Sequence, residues 1–268
     1  MQDKRNKRIG VFDSGIGGLT VVRELIRRLP DEGIVYFGDS ARVPYGTKSP
    51  ETVLGFAREN LKFLKSRNIK LIVVACNTVS AVALPILKSE EEIPVTGVLL
   101  PGALGASRAT ESSKVAVIGT TATIRSGAYR KALHAINPDL EIFSKACPLF
   151  VSLAEEGWLD NDVTRLVAEK YLEDVIEFGP DTVVLGCTHY PLLKGVISKV
   201  MGPGVRLVDS ANECAVEVEK ILAGNDLKKR AGSGGGIKVF MSDVPYKFRE
   251  IGERFLGRSL GEVTKIQV

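Results

Sequence analysis

A chain of 268 residues, 44% hydrophobic and 25% charged, suits one large soluble domain or two small ones and can bury a core without disulfides or metals. The net charge of +4, from 36 basic and 32 acidic residues, is mild, and basic stripes interleaved with aromatics are absent, which argues against nucleic acid as a partner. No apolar run reaches the ~18 residues that span a bilayer, and Ile9 to Phe12 is too short for a signal-peptide core, so the expectation is a cytoplasmic protein.

Short apolar runs alternate with amphipathic stretches. Ile9 to Phe12 reads as a strand, and Leu19, Val22, Leu25, Ile26 and Leu29 then fall at helical spacing up to Pro30. Ile34 to Phe37 is a second strand. Ser49-Pro50 opens a helix with Val53, Phe56, Ala57, Asn60, Leu61 and Leu64 on one face. Ile69 to Ala75, apolar without alternation, suits a strand buried on both faces of a parallel sheet. A helix after Thr78 and a strand over Val95 to Val98 follow.

The order then begins again. Lys114 to Ile118 is a strand, Thr123 to Ile136 a helix, and Leu140 to Phe143 a strand. Asp162 to Phe178 is a helix with Val163, Val167, Tyr171, Asp174/Val175 and Phe178 in register, and Thr182 to Gly186 is an apolar strand. Val205 to Val208, a helix near Asn212 to Leu222, a strand near Ile237 to Met241 and a helix near Pro245 to Leu256 complete an α/β pattern.

The two passes are related. Residues 7–12 parallel 113–118 at an offset of 106, and Ile72-Val73-Val74-Ala75-Cys76-Asn77-Thr78 parallels Val183-Val184-Leu185-Gly186-Cys187-Thr188-His189 at an offset of 111. Near-constant offsets imply a duplication. The expected fold is two pseudo-symmetric, doubly wound α/β domains with mostly parallel sheets and an active site in the cleft between them. Residues 1–98 plus 209–268 would form the first domain and 99–208 the second. The last ~60 residues exceed the repeat and either return to the first domain or add a layer.

In open parallel sheets ligands bind beyond the carboxyl ends of the strands. The residues there are Asp13-Ser14-Gly15-Ile16-Gly17-Gly18, Gly38-Asp39-Ser40, Pro44-Tyr45-Gly46, Cys76-Asn77-Thr78, Gly119-Thr120-Thr121 and Cys187-Thr188-His189. The glycine loop is a poor dinucleotide fingerprint: its third position is Thr20, and Asp13 would repel a pyrophosphate. No P-loop motif exists. The cysteines form no C-x-x-C pair, and with only His134 and His189 a His-rich metal site is excluded.

Any single free cysteine is more often a small core residue than a functional one. Cys76 and Cys187, however, occupy equivalent places in the two halves, each at the end of a buried strand. Thiols opposed across a cleft suit a two-base reaction, in which one group removes a proton from one face of a carbon and the other delivers one to the opposite face. Asp13 is placed to serve Cys76, and His189 or Glu155 to serve Cys187. The plain alternative for His189 is a local cap. Cys147 and Cys214 read as packing thiols, and Lys228-Lys229-Arg230 as an exposed turn.

These segments also resemble a known family. Residues 10–21, 37–46, 75–78, 147–151, 185–193 and 241–245 are similar to the glutamate racemases of the aspartate/glutamate racemase family, over nearly the whole chain. Two departures are Val79, where the family pattern has Ala, and Ser152, where it has Pro. The resemblance implies a cofactor-independent racemase that interconverts L- and D-glutamate and supplies D-glutamate for peptidoglycan synthesis. Cys76 would act on the D-isomer and Cys187 on the L-isomer, assisted by Asp13, Glu155 and His189. Asp13, Ser14, Tyr45, Gly46, Asn77, Thr78, Thr188 and His189 would bind the substrate. Glu155 is preferred to its neighbour Glu156 from its place after residues 147–151. The expectations are no metal or other cofactor, no nucleic-acid or membrane partner, and a homodimer. The rivals are a racemase of aspartate or a hydantoin, and a non-catalytic binder with the same cleft.

Overall fold

A computed structural model describes residues 3–244 and 246–267. The chain begins with β1 (Arg8–Asp13), α1 (Leu19–Arg28), β2 (Gly33–Gly38), α2 (Pro50–Lys65), β3 (Ile69–Val74), α3 (Asn77–Val82), α4 (Leu84–Glu90) and β4 (Val95–Gly97). Helix α5 (Leu99–Ala109) leads to β5 (Lys114–Gly119), α6 (Thr121–Arg125), α7 (Ala128–Ile136), β6 (Glu141–Ala146), α8 (Leu149–Glu156), α9 (Asp162–Phe178), β7 (Thr182–Gly186), α10 (Lys194–Met201) and β8 (Arg206–Asp209). The rest is α11 (Ser210–Gly224), β9 (Gly236–Met241), α12 (Phe248–Leu256) and β10 (Val263–Lys265). Pro245, at the expected start of the last helix, lies outside the described residues.

Two sheets result, with order β10-β9-β2-β1-β3-β4 and β6-β5-β7-β8, and every pairing is parallel. The order β2-β1-β3-β4 reappears as β6-β5-β7-β8, which is the topological form of the sequence repeat. The excess C-terminal chain returns to the first sheet, where β9 pairs with β2. Strand β3 is buried along its whole length, as a non-alternating apolar run requires. Ser49 caps α2 by accepting from the Thr52 N–H, and Pro50 fills the first helical turn. One buried apolar cluster joins the halves: it contains Val11 and Val73 of the first sheet, Ile118 and Leu185 of the second, and Phe255 of α12.

Several expected elements differ. The helix expected over Thr123 to Ile136 is two helices, broken at Gly127, whose φ of 64° is left-handed. The helix after Thr78 is likewise split, at Ala83 ahead of Pro85. Helix α9 has the expected span, but its buried face is Thr164, Ala168, Leu172 and Val175, while Val163 is exposed. Helices α5, α8 and α10 and strand β10 are additional. In α5, Gly102 and Gly105 lie against α11, where a methyl group would stand 3.1 Å from Ser210 Cβ and 2.7 Å from Glu213 Cγ. Residues that weaken helix propensity in isolation permit close helix packing here. No helix among the described residues is long and apolar enough to cross a membrane.

Candidate active site

The carboxyl ends of both sheets meet at a cleft of 340 Å³. Ser14, Tyr45, Gly46, Cys76, Asn77 and Thr78 line one side, and Glu155, Cys187, Thr188 and His189 the other. A larger, more open groove of 1040 Å³ lies between α9 and α10. Its walls are surface charges such as Arg165, Glu169 and Lys199, and it contains none of the strand-end residues. The strand-end residues belong to the smaller cleft.

Cys76 ends the run of β3 and stands at the N-cap position of α3. Its thiol donates to Ser14 Oγ at 3.5 Å. Burial, reinforced by the nearby Asp13 carboxylate, pushes this thiol up to about 12. The Val79 backbone N–H opposes that rise. Val79 thus touches the thiol through its backbone, which valine and alanine supply alike.

Asp13 does not line the cleft. It is fully buried beneath the glycine loop, with Oδ2 accepting from the Gly15 N–H at 3.0 Å and Oδ1 without a partner. Burial raises its carboxyl above the ordinary range, against the pull of His189 and the backbone N–H groups of Gly15, Gly18 and Ser14. A buried carboxylate left half-satisfied is costly, and such sites are where function overrides stability.

Cys187 follows β7 directly, the equivalent place in the second half. Its Sγ lies 3.7 Å from His189 Nδ1, and His189 Nε2 lies 2.9 Å from Glu155 Oε1. Burial alone would lower the imidazole, but its hydrogen bonds to Cys187 and Glu155 prevail and raise it to about 10. Near neutral pH the ring is therefore cationic, held between a sulfur and a carboxylate. Glu156, the adjacent acid, instead lies 3.9 Å from Lys247 at the surface.

The remaining wall is neutral. The buried Asn77 accepts from Tyr129 OH through Oδ1 at 2.7 Å, leaving Nδ2 without a partner. Thr78 Oγ1 lies 3.0 Å from Thr120 Oγ1 and 3.3 Å from Thr123 Oγ1. Tyr45 lines the cleft, but its hydroxyl turns away to donate to Asp39, so it offers the cleft no phenol. Thr120 and Thr121, expected at the strand-end edge but given no role, also line the cleft, as does Ser152, which was noted only as a departure from the family pattern. The repeat offset of 106 relates Thr120 to Ser14 and could have found it. Among the described residues, no lysine or arginine lines the cleft, and no group of three His, Cys, Asp or Glu is placed to hold a metal.

The glycine loop brings the halves into contact. A methyl group at Gly17 would stand 2.3 Å from Thr188 Oγ1 and 2.6 Å from His189 Nδ1. Thr20, the residue that spoils the dinucleotide fingerprint, donates from Oγ1 to the Thr188 carbonyl at 3.0 Å. Cys147 and Cys214 are fully buried and do not line the cleft.

Fold and site together define a class: a parallel α/β protein of two related sheets, with one strand-end thiol from each at a shared cleft. The chain belongs to the Asp/Glu/Hydantoin racemase family, whose model matches residues 9–218. A glutamate racemase from Geobacter metallireducens is 55% identical over 262 residues, covering 98% of this chain and 97% of that one. Among solved structures, a glutamate racemase isoform from Bacillus anthracis superposes with a TM-score of 0.94 at 40% identity, covering 98% of both chains. A glutamate racemase from Francisella tularensis in complex with D-glutamate gives 0.92 at 40% identity, with the same coverage.

Proposed function

We propose that this chain is a glutamate racemase that works by two-base proton transfer between Cys76 and Cys187. The carrying observation is that the duplicated fold puts one thiol from each half on a single cleft, each with its own acid–base support. The close relatives, all over nearly the full chain, favour glutamate over aspartate or a hydantoin.

From L-glutamate, the Cys187 sulfur as thiolate takes the α-proton. The S–H bond forms, the Cα–H bond breaks, and the electron pair passes into the substrate carboxylate. The Cys76 thiol then gives its proton to the opposite face of Cα, producing D-glutamate and leaving the two sulfurs with exchanged protonation. Burial and Asp13 keep Cys76 protonated in the free enzyme, the form needed for this direction. His189 is placed to exchange a proton with Cys187 and to balance charge there, with Glu155 orienting it. Asp13 plays the corresponding part for Cys76. Ser14, Asn77, Thr78 and Thr188, with the backbone of Tyr45 and Gly46, receive the carboxylates through neutral donors. Asn77 Nδ2, buried and unpartnered, is one such donor. Donors fixed in a closed cleft stabilise developing carbanion charge better than mobile water does, so the reading needs no cofactor. The two sheets are read as the cores of two closing domains, residues 1–98 with the C-terminal segment from 209, and 99–208. The wider reading is a cytoplasmic homodimer that supplies D-glutamate for peptidoglycan.

The test uses glutamate analogues with a leaving group on Cβ. Abstraction of the α-proton then expels that group with its electron pair, and no reprotonation is needed. Cys76→Ser retains elimination from the L-analogue, and Cys187→Ser from the D-analogue. Racemisation itself falls by roughly 10²–10⁴-fold in both. Cys147→Ser and Cys214→Ser retain both eliminations. A single variant that processes both enantiomers at comparable rates removes the two-base assignment, and turnover of aspartate in preference to glutamate removes the substrate.

A further inference from the structure

Helix α12 belongs to the chain that returns to the first sheet, yet it touches the machinery of the second. Its Phe255, fully buried, meets the His189 ring edge-to-face, with centroids 5.1 Å apart and planes at 81°. Its Arg254 lies over the C-terminal end of α8, the helix that carries Glu155. Arg254 Nη1 donates to the Glu155 carbonyl at 3.5 Å, and a methyl group at Gly157 would stand 2.5 Å from that nitrogen. Gly157, at φ 76°, is the left-handed cap of α8, so the guanidinium sits where the helix leaves its last carbonyls unpaired. A cation there also complements the helix dipole. Two turns earlier, Lys247 faces Glu156 at 3.9 Å, a third crossing contact.

On its other side α12 is anchored to the first half. Phe248, Phe255, Leu256 and Leu260 share a buried cluster with Leu19 and Val22 of α1. A methyl group at Gly252 would stand 2.6 Å from Leu260 Cδ1 and 3.3 Å from Leu19 Cδ1. The helix therefore cannot shift freely. We infer that Arg254 and Phe255 are positioning residues for one arm of the site: they hold Glu155 and His189 in the orientation that serves Cys187, and they have no counterpart on the Cys76 arm. The Cys76 arm draws Ser14 and Asp13 from the end of β1, and among the described residues the hydrogen bonds of Cys76 and Asp13 run to Ser14 and Gly15, not to α12.

This inference rests on the two-thiol reading and gives it an asymmetry. Racemisation cannot display it, because an equilibrium constant of unity ties kcat/KM in the two directions together. The half-reactions can. Arg254→Met keeps the aliphatic stem and removes the cation. In this variant kcat for elimination from the L-analogue falls about tenfold, since small misplacements of a catalytic group are expensive. Elimination from the D-analogue stays within about twofold of the parent, on the same ground that its base does not move. Arg254→Lys restores most of the L-rate, which a purely structural loss does not allow. The alkaline limb of the L-elimination profile also moves toward neutral, because a loosened Glu155 withdraws one of the contacts that raise His189. The other groups facing that ring, Cys187 and Asp13, are unchanged. Phe255→Leu, which keeps an apolar side chain on α12, shows the same bias. Equal losses from both enantiomers, or no loss from either, overturn the inference. Cys76→Ser and Cys187→Ser run in parallel separate the two failures. If they do not divide the enantiomers, the two-thiol reading falls. If they do and Arg254→Met does not, only the role of α12 falls.

Discussion

Gly17 and His189 are in contact across the cleft: an added Cβ at Gly17 would lie 2.6 Å from the imidazole. A glycine loop that looks made for a phosphate is used instead to let the first half approach the second. The dihedral freedom of glycine is not the reason; the absent side chain is.

Gly17→Ala tests that contact. The methyl group overlaps Thr188 Oγ1 at 2.3 Å, so the halves must separate or the loop must move. Overpacking of this kind costs typically about 1–3 kcal/mol, read from denaturant unfolding. Racemisation, followed by circular dichroism, falls about 10²-fold, because the Cys187 arm is displaced relative to the Cys76 arm. Parent-like activity in this variant would mean that the closed approach is not used in catalysis.

Asp13→Asn tests a conflict between stability and function. The folded-state carboxyl is raised above its ordinary 3.8, so its stabilising, protonated form is fully present only below that value and is lost as pH rises through the folded one. Above the folded value the buried charge is a net cost that the amide removes. The expected outcome is a Tm at pH 8 no lower than the parent's, with elimination from the D-analogue reduced about 10²-fold. A lower Tm would show that His189 and the N–H groups of Gly15, Gly18 and Ser14 outweigh the cost of burying the charge.

His189 gives a pH dependence of defined sign. Its folded value of about 10 exceeds the ordinary 6.5, so the native state holds a proton that the unfolded chain releases first. The stabilisation from its contacts is complete below pH 6.5 and is lost as pH rises through about 10. In urea titrations, the stability difference between the parent and His189→Asn therefore shrinks across that window. A difference that grows with pH contradicts a cationic ring.

Much was legible in the sequence because it depends on local chemistry. The buried strands announce themselves as apolar runs. Ser49-Pro50 marks a helix start wherever it folds, and near-constant offsets pair Cys76 with Cys187 along the chain itself. What the sequence could not show depends on neighbours from elsewhere in the chain. The glycines of α5 look helix-breaking until α11 is laid against them. The buried face of α9 is one residue away from its most apolar stripe, because the partner surface, not the periodicity, selects the face. The Tyr45 hydroxyl is taken by Asp39, and Asp13 lies under the cleft instead of on its wall. The contacts of Phe255 and Arg254 with the His189–Glu155 arm join residues 66 and 99 positions apart. No local pattern encodes such a separation. Sequence alone determined which residues carry reactive groups and which runs are buried; tertiary structure decided which groups face one another, because facing requires the packing of segments distant in the chain.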